Sequence, residues 1–330
     1  MDTLEAKVGQ QLIVGLPGPT LTAELAAHLR AIHAGGVIPF ARNFESPKQL
    51  RRLIAQIREV LGPTCLVAID HEGGSVIRLA SGVTRFADQF TIGARGDAEA
   101  VRRQGEIEAK ELRALGININ LAPCVDVLVT GSDPIIGTRS YGSDPALVSR
   151  MAVARIQGLQ QNGVAACAKH FPGLGAVPKD PHTYLPTVEL EWEAMRTVHL
   201  APFRAAITAG VASLMSSHVC YPRLEGQPGM PATFSPRLIR TLIREELRFD
   251  GVVFSDDMDM GALRELCPKG EAAVRAIEAG HDLLLFCGDV AAQREAFSAL
   301  VAAYRQRRVS PQELENSCAR VAALKRVAAG

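Results

Sequence analysis

An aspartate and a histidine stand two residues apart, as Asp180 and His182, in a stretch rich in glycine and proline that runs from residue 169 to residue 186. A carboxylate at this spacing can accept the ring N–H of the imidazole, which fixes the tautomer and raises the basicity of the other nitrogen. No apolar periodicity in the stretch requires a histidine there. The pair predicts a general acid/base on a long loop, and a solvated loop histidine is the alternative interpretation.

Further polar side chains stand where short apolar runs end. They are Asp70, Asp126 with Arg139 in the loop after it, Lys169 with His170, His218, and Ser255 with Asp256 and Asp257. In a barrel of alternating strands and helices, functional residues lie at the C-terminal ends of the strands and in the loops that follow. A capping role could explain any one of these residues, but the repetition along the chain indicates one functional face.

Eight apolar runs must position these side chains, and each is followed by room for a helix. They cover residues 11–16, 36–40, 65–70, 117–127, 164–171, 213–219, 251–256 and 282–288. Near-continuous apolarity, rather than alternation, is typical of parallel strands covered on both faces. Serine and proline before three of the amphipathic stretches, at residues 46–47, 143–145 and 235–236, indicate helix starts.

The pattern predicts an α/β fold, a TIM (β/α)8 barrel, that forms a single catalytic domain over residues 1–330. A doubly wound sheet is the alternative. It usually carries a phosphate-binding G-x-G-x-x-G turn after its first strand, whereas the sequence there is LPGPT.

Composition limits the function classes. The 330 residues include 36 Lys and Arg against 35 Asp and Glu, so no basic excess is available to bind a nucleic-acid backbone. No apolar run approaches the roughly 20 residues that span a bilayer, and the acidic N-terminus does not resemble a signal peptide. Seven cysteines without a C-x-x-C pair indicate a reducing compartment. We expect a soluble cytoplasmic protein with no membrane or nucleic-acid partner.

Several stretches together resemble family 3 glycoside hydrolases, and more narrowly the bacterial β-N-acetylglucosaminidase (NagZ-type) branch of that family. The stretches are KHFPG followed by D-x-H and LP, GVVFSDDMDM, VAIDHEGGSVIRL, NLAPCVDV, IGTRSYGSDP and IPFARNFESP. They stand in the branch's order and span about residues 8 to 325. The resemblance implies a single TIM barrel that removes terminal β-linked N-acetylglucosamine with retention, and it implies no cofactor and no metal.

The resemblance also implies roles for particular residues. Asp256 in FSDD matches the nucleophile, and His182 matches the general acid/base, oriented by Asp180. The residues that match those holding the sugar are Asp70, Arg78, Arg139, Lys169 and His170. A cytoplasmic member of the branch is expected to act on N-acetylglucosamine-containing muropeptides during cell-wall recycling, and chito-oligosaccharides are related carbohydrate substrates.

These roles agree with the chemistry of retaining hydrolysis, which needs a carboxylate to attack the anomeric carbon and an acid to protonate the leaving oxygen. A histidine with a near-neutral pKa can donate and later accept that proton without the raised carboxyl pKa that most glycosidases need. A catalytic glutamate is therefore not required. We interpret Glu72 as a loop residue that supports Asp70.

The sequence departs from the branch at two positions of the predicted loop. Leu174 replaces a second histidine of the K-H-F-P-G-H-G pattern, and Pro181 replaces the serine of D-S-H. Proline fixes its own φ and restricts the residue before it, so the loop that carries the dyad is expected to be stiffer. Both changes bear on loop dynamics, leaving-group preference and turnover more than on reaction class.

Other functions compatible with the pattern remain open. Phosphate could attack the glycosyl-enzyme in place of water, because histidine repels phosphate less than glutamate would. A broader β-glycosidase, a metal-dependent TIM-barrel hydrolase using His170, His182 and His218, and an inactive sugar-binding protein are further alternatives. The metal hydrolase is disfavoured because the sequence has no H-x-H on an early strand and no H-E-x-x-H.

Overall fold

The protein, here a computed structural model, is built around a closed barrel of eight parallel strands. The structure describes residues 3–132, 135–178 and 180–328. In chain order the strands are β1 (Leu12–Gly15), β2 (Gly36–Ile38), β3 (Leu66–Ile69), β4 (His71–Gly73), β5 (Val76–Ile77), β6 (Ile119–Asn120), β7 (Ala165–Phe171), β8 (Ser213–Ser216), β9 (Val252–Asp257) and β10 (Leu283–Phe286). β4 and β5 form a separate hairpin, and the other eight close the barrel when β10 pairs with β1.

The eight predicted strands are the eight barrel strands, which confirms the TIM-type fold. The main difference is β6, which was predicted over residues 117–127 and pairs regularly over two residues. Pro123 has no N–H to donate to a ladder, so the chain after β6 follows β7 irregularly. It still contacts β7 through an isolated bridge between Cys124 and Lys169 and a 2.8 Å hydrogen bond from Val125 N to Lys169 O.

The hairpin of β4 and β5 was not predicted. His71 pairs with Ile77 in antiparallel register, and two adjacent glycines with positive φ make the reversal, Gly73 at the end of β4 and Gly74 in the turn. A Cβ on Gly74 would lie 2.7 Å from Cβ of Asp88, so the turn has no room for a larger residue. The hairpin follows β3 directly and places Glu72 and Arg78 above the barrel mouth.

Helices cover the outside of the barrel. They are α1 (Leu4–Gly9), α2 (Ala23–Ala31), α3 (Pro47–Leu61), α4 (Gln89–Arg95), α5 (Ala98–Leu115), α6 (Pro145–Gln160), α7 (Trp192–Ala194), α8 (Leu200–Thr208), α9 (Pro222–Glu225), α10 (Gly261–Arg264), α11 (Lys269–Ala279), α12 (Val290–Arg305) and α13 (Pro311–Val327), with π-helical turns over Met195–His199 and Arg237–Glu246. The predicted starts are confirmed. Ser46, Asp144 and Ser235 accept hydrogen bonds from the backbone N–H groups of the first turns that follow them.

Two apolar layers hold the fold together. Aliphatic and aromatic side chains such as Ile13, Ala68 and Phe254 fill the barrel, and a larger apolar layer lies between the strands and the helices. Every residue of β1, β2, β3, β7, β8 and β10 is buried, as strands covered on both faces require. Among the described residues, no helix is long and apolar enough to cross a membrane. The seven cysteines, all described, are free thiols, and five of them are buried.

Candidate active site

The C-terminal ends of the strands surround a cavity of about 410 Å³. It is lined by Asp70, Glu72, Ser75, Val76, Arg78, Ile135, Arg139, Lys169, His170, Leu174, Pro181, His182, Asp256 and Met260. A second cavity of about 370 Å³ shares Asp70, Arg78, His182 and Asp256 and continues toward Phe40 and Met215. Seven of the eight site residues predicted from the sequence therefore line one cavity, and the eighth, Asp180, contacts His182.

Five side chains of alternating charge form one wall of the cavity. Lys169 Nζ lies 2.8 Å from Asp70 Oδ1 and 2.7 Å from Glu72 Oε1. Glu72 also accepts two hydrogen bonds from Arg139, at 2.8 and 2.9 Å, and Arg78 Nη2 lies 3.2 Å from Asp70 Oδ2. Each carboxylate is paired with two cations, which offsets the cost of removing these charges from water.

The pKa values of these groups follow from the pairing. Burial alone would raise the pKa of Asp70, but Lys169 and Arg78 outweigh it and hold the pKa below its usual range. The pKa of Glu72 is lowered in the same way by Arg139 and Lys169. Burial would lower the pKa of Lys169, but Asp70 and Glu72 raise it. Asp70, Glu72 and Lys169 are therefore charged at neutral pH and present fixed donors and acceptors.

The predicted support of Asp70 by Glu72 needs correction. Glu72 is a residue of β4 rather than of a loop, and its side chain is only 1 % exposed. Its carboxylate contacts Arg139 and Lys169, and Lys169 separates it from Asp70. Its negative charge acts against ionisation of Asp70. Glu72 therefore positions the two cations, and it reaches Asp70 only through Lys169.

His170 follows Lys169 at the end of β7 and is held on both ring nitrogens. Its Nδ1 lies 2.7 Å from Asp126 Oδ2, and its Nε2 lies 3.2 Å from Arg139 Nη2. Asp126 is itself buried at the end of the chain segment after β6. The sequence predicted Asp126 only as a strand-end residue, and its partner 44 positions away is not readable from spacing.

Asp256 stands near the end of β9 and lines both cavities. Its Oδ1 accepts a 2.8 Å hydrogen bond from the backbone N–H of Asp257. Burial would raise the pKa of Asp256, but this hydrogen bond and the positive charge of Lys169 are among the influences that lower it. Asp256 is an ionised carboxylate placed on a rigid strand end.

The neighbouring Asp257 has a different environment. Its Oδ1 accepts hydrogen bonds from the backbone N–H groups of Asp259 and Cys287, at 3.0 and 3.1 Å. Burial raises the pKa of Asp257 to about 6, and the nearby Asp259 and Asp256 charges add to this effect. Asp257 thereby joins β9 to the end of β10.

Asp180 and His182 form the predicted pair. His182 Nδ1 lies 2.6 Å from Asp180 Oδ1, which also accepts the backbone N–H of His182 at 2.8 Å. The histidine side chain is 57 % exposed. The loop is docked on the start of α10, because Gly261 N donates to His182 O at 2.9 Å and Ala262 N donates to Pro181 O at 3.3 Å. The carboxylate therefore fixes Nδ1–H and leaves Nε2 available to a substrate.

One group of side chains within the described ranges could hold a metal ion by spacing alone: Cys124, Asp126 and His170, whose ligand atoms lie within 4.8 Å of one another. Burial and the Asp126 charge raise the pKa of the Cys124 thiol well above its usual value, which disfavours a thiolate ligand. His182 and His218 lie outside this group; His218 contacts Thr233 and the backbone oxygen of Asp257.

Comparison with known proteins places the chain in a family. The model of the glycosyl hydrolase family 3 N-terminal domain matches residues 3–324. The chain belongs to glycoside hydrolase family 3. It is 36 % identical to a β-hexosaminidase of Methylobacillus flagellatus over 282 residues, which cover 84 % of this chain and 80 % of that protein.

Solved structures agree. The chain superposes with a TM-score of 0.96 and 40 % identity on a family 3 β-N-acetylglucosaminidase from a Paenibacillus species; all of this chain corresponds to 63 % of that protein's length. NagZ from Neisseria gonorrhoeae, solved with N-trifluoroacetyl-D-glucosamine, matches with a TM-score of 0.80 and 31 % identity, over 96 % of this chain and 98 % of that one. The chain is thus a glycoside hydrolase of the β-N-acetylhexosaminidase type, close to the NagZ branch.

Proposed function

We propose that the protein is a retaining exo-β-N-acetylglucosaminidase that uses Asp256 as nucleophile and the Asp180–His182 pair as general acid/base. The observation that supports this best is the meeting of an ionised strand-end carboxylate and a loop histidine in one cavity. The reaction needs a fixed nucleophile and an acid/base group that can reach the leaving oxygen, and the two groups match these needs. Asp256 is fixed and charged, whereas His182 is exposed and held by a single carboxylate.

In the first step, an Asp256 oxygen attacks the anomeric carbon as its bond to the leaving oxygen breaks. His182, protonated on both nitrogens, gives its Nε2 proton to that oxygen and keeps its Nδ1 proton on Asp180. The Asp180 carboxylate stabilises the imidazolium before the transfer and fixes the neutral tautomer after it. The products are the free aglycone and a glycosyl ester of Asp256.

In the second step, neutral His182 accepts a proton from water through Nε2 as the water oxygen attacks the anomeric carbon. The ester bond breaks, Asp256 returns as a carboxylate, and the sugar leaves with its original configuration after two inversions. The same nitrogen therefore acts first as an acid and then as a base.

The charged wall supports recognition of a single terminal sugar. Asp70 has acceptor oxygens for sugar hydroxyls, and Arg78, Arg139 and Lys169 offer donors to hydroxyls and to an acetamide oxygen. The cavity of about 410 Å³ is lined by this wall and by His170, which supports binding of one terminal sugar residue. We propose that the whole chain, 1–330, acts as one catalytic domain.

We further propose that the natural substrate is an N-acetylglucosamine-containing muropeptide in the cytoplasm. The support is the similarity to NagZ together with the sequence-based expectation of a reducing compartment. The test of the proposed N-acetylglucosaminidase activity compares hydrolysis of a nitrophenyl N-acetyl-β-glucosaminide with hydrolysis of the matching β-glucoside. A site that hydrogen-bonds the acetamide should reject the glucoside by orders of magnitude. Equal rates on both would contradict the proposal, and product analysis with and without phosphate identifies the acceptor.

A further inference from the structure

The carboxylate of Asp126 is a junction between the sugar-binding wall and the loop that carries the dyad. It is 1 % exposed and accepts hydrogen bonds from several groups. Its Oδ2 lies 2.7 Å from His170 Nδ1 and accepts the Cys124 thiol at 3.2 Å, and its Oδ1 accepts the backbone N–H of Leu174 at 2.5 Å. The backbone N–H of His170 also points to it, at 3.3 to 3.4 Å.

These contacts define which nitrogen of His170 carries the proton. Arg139 has only N–H groups, so its Nη2 must donate to His170 Nε2, which therefore has no proton. The ring proton is on Nδ1 and points to Asp126. His170 is thus neutral, with its lone pair directed to the cation that Glu72 also holds. Doubly protonated His170 would place an N–H against the Arg139 guanidinium.

The second oxygen of Asp126 fixes the beginning of the dyad loop. Leu174 is the fifth residue after Lys169 in the stretch that leads to Asp180 and His182. The next residue, Gly175, also packs directly against the segment after β6. A Cβ on Gly175 would lie 1.8 Å from Val127 O, and Val129 N donates to Gly175 O at 3.0 Å. The segment after β6 therefore clamps the start of the loop, and Asp126 is the charged member of that clamp.

A metal site is the competing explanation for Cys124, Asp126 and His170. It fits less well because each ligand atom of Asp126 and His170 already has a hydrogen-bond partner. The Arg139 guanidinium beside His170 also repels a divalent cation. All three candidate ligands are buried.

We infer that Asp126 is a positioning residue that holds His170 as the neutral Nδ1–H tautomer and at the same time fixes the start of the loop bearing His182. One buried carboxylate then couples sugar binding to proton transfer. The catalytic consequence rests on the proposed function, whereas the tautomer and the loop anchor do not.

Asp126→Asn tests both proposed roles, the tautomer of His170 and the anchoring of the loop at Leu174. The amide has one acceptor oxygen where the carboxylate has two. If the oxygen faces Leu174, the amide N–H₂ meets His170 Nδ1 and forces the proton to Nε2, against Arg139. If the oxygen faces His170, the amide N–H₂ meets the N–H of Leu174 and the loop loses its anchor. Either arrangement should reduce kcat/KM, by on the order of 10²-fold, as a misplacement of about 1 Å can do.

Three readouts distinguish positioning from a purely structural role. Long-range proton–nitrogen spectra of the imidazoles, assigned with His170→Asn, should show a neutral Nδ1–H ring in the unsubstituted protein. In Asp126→Asn this pattern should change, or hydrogen exchange at residues 174–182 should rise. KM should increase if the change disturbs the sugar-binding wall through His170 and Arg139. The value of kcat should fall if the loop moves and displaces the Asp180–His182 dyad. Asp144→Asn, the same change at an exposed helix cap, is the control and should keep both constants.

The unsubstituted protein decides the tautomer even if Asp126→Asn does not fold. A cationic or Nε2–H ring for His170 would overturn the inference, as would kinetics in Asp126→Asn equal to those of the control. So would stoichiometric binding of zinc ion that is lost in Cys124→Ala. Failure of the proposed function looks different: no turnover of N-acetylglucosaminides, with the predicted imidazole spectrum intact.

Discussion

Asp180 and His182 combine a solvent-exposed ring with a carboxylate that binds its Nδ1 at 2.6 Å. Under the proposed mechanism, the value of His182 depends on how much the leaving group needs a proton. His182→Ala should therefore slow glycosylation strongly for a disaccharide and weakly for an acidic phenol, within the about 10²- to 10⁴-fold range of general acid–base catalysis. Deglycosylation should slow for both substrates.

Burst kinetics on a nitrophenyl N-acetylglucosaminide measure this difference. His182→Ala should show a burst followed by slow turnover, and azide should accelerate the slow phase because it attacks without a base. Asp180→Ala should give a milder form of the same result, since the imidazole remains without its partner. Equal losses on both substrates, with no burst and no azide effect, would place the proton donor elsewhere.

The two adjacent aspartates of β9 should be distinguishable by labelling. Asp256 lines the cavity, and Asp257 is bonded to backbone N–H groups of residues 259 and 287. A slowly leaving fluorinated sugar should be trapped on Asp256, and peptide mass spectrometry identifies the site. A label on Asp257 would reverse the assignment, and the absence of any label would favour attack by the substrate's own acetamide.

Asp257 also predicts a pH dependence of stability. Its folded-state pKa of about 6 lies above the ordinary 3.8, so the folded state binds the proton more tightly than the unfolded state. Its contribution is therefore fully present below about pH 4 and is lost as the pH rises through 6. Asn at this position stays neutral and keeps an acceptor oxygen. Asp257→Asn should thus gain stability relative to the unsubstituted protein between pH 4 and pH 7, by about 3 kcal/mol at most.

Urea unfolding at several pH values tests this difference. The free energies of unfolding of the two proteins should agree most closely near pH 4 and separate as the pH rises. A difference that does not change with pH would mean that Asp257 has an ordinary pKa in the folded state.

At the scale of elements, the loop bearing the dyad depends on Gly261, the first residue of α10, which follows β9. A Cβ on Gly261 would lie 2.6 Å from His182 O and 2.9 Å from Thr183 O, and the Gly261 N–H holds the same His182 oxygen. Gly261→Ala should therefore displace the loop and lower kcat, by up to about 10²-fold for a shift near 1 Å, with little loss of thermal stability. Gly18→Ala is the matched control, because its Cβ would meet no atom within 4 Å.

The measurement is kcat together with the melting temperature of both variants. Loss of kcat in Gly261→Ala alone supports a role in loop placement. Equal kcat in the two glycine variants would show that the loop does not need this contact.

The strands were predictable because burial on both faces leaves continuous apolar runs in the sequence. The hairpin of β4 and β5 was not, because two or three residues around adjacent glycines carry no periodic signal. The ion-pair partners of the site residues were not predictable for a similar reason. Strand-end position indicated Asp70, Asp126 and Asp256, but the choice of Lys169 as the bridge and of His170 as the partner of Asp126 depends on which strands become neighbours.

At the scale of the whole molecule, the two ends of the barrel have different roles. One end carries the candidate active site, and the other carries a buried ion-pair cluster that we expect to stabilise the fold. The site lies at the C-terminal ends of the strands, whereas Asp282 precedes β10 at the opposite end. Asp282 is 1 % exposed, contacts Arg244 at 2.5 Å and Arg320 at 3.1 Å, and accepts the backbone N–H of Val253 at 2.9 Å. It thus connects β9 and β10 to α13, the helix that covers this end.

Asp282→Ala should therefore destabilise the fold without changing the chemistry. Removal of one partner of a buried ion pair leaves uncompensated charge and typically costs about 3–5 kcal/mol. Glu246→Ala removes an exposed pair with Arg196, at 4.0 Å, and should cost less than about 1 kcal/mol. Chemical unfolding gives both costs, and kcat well below the melting temperature should match the unsubstituted protein in each. A loss of kcat in the folded fraction of Asp282→Ala would show that the two ends of the barrel are coupled.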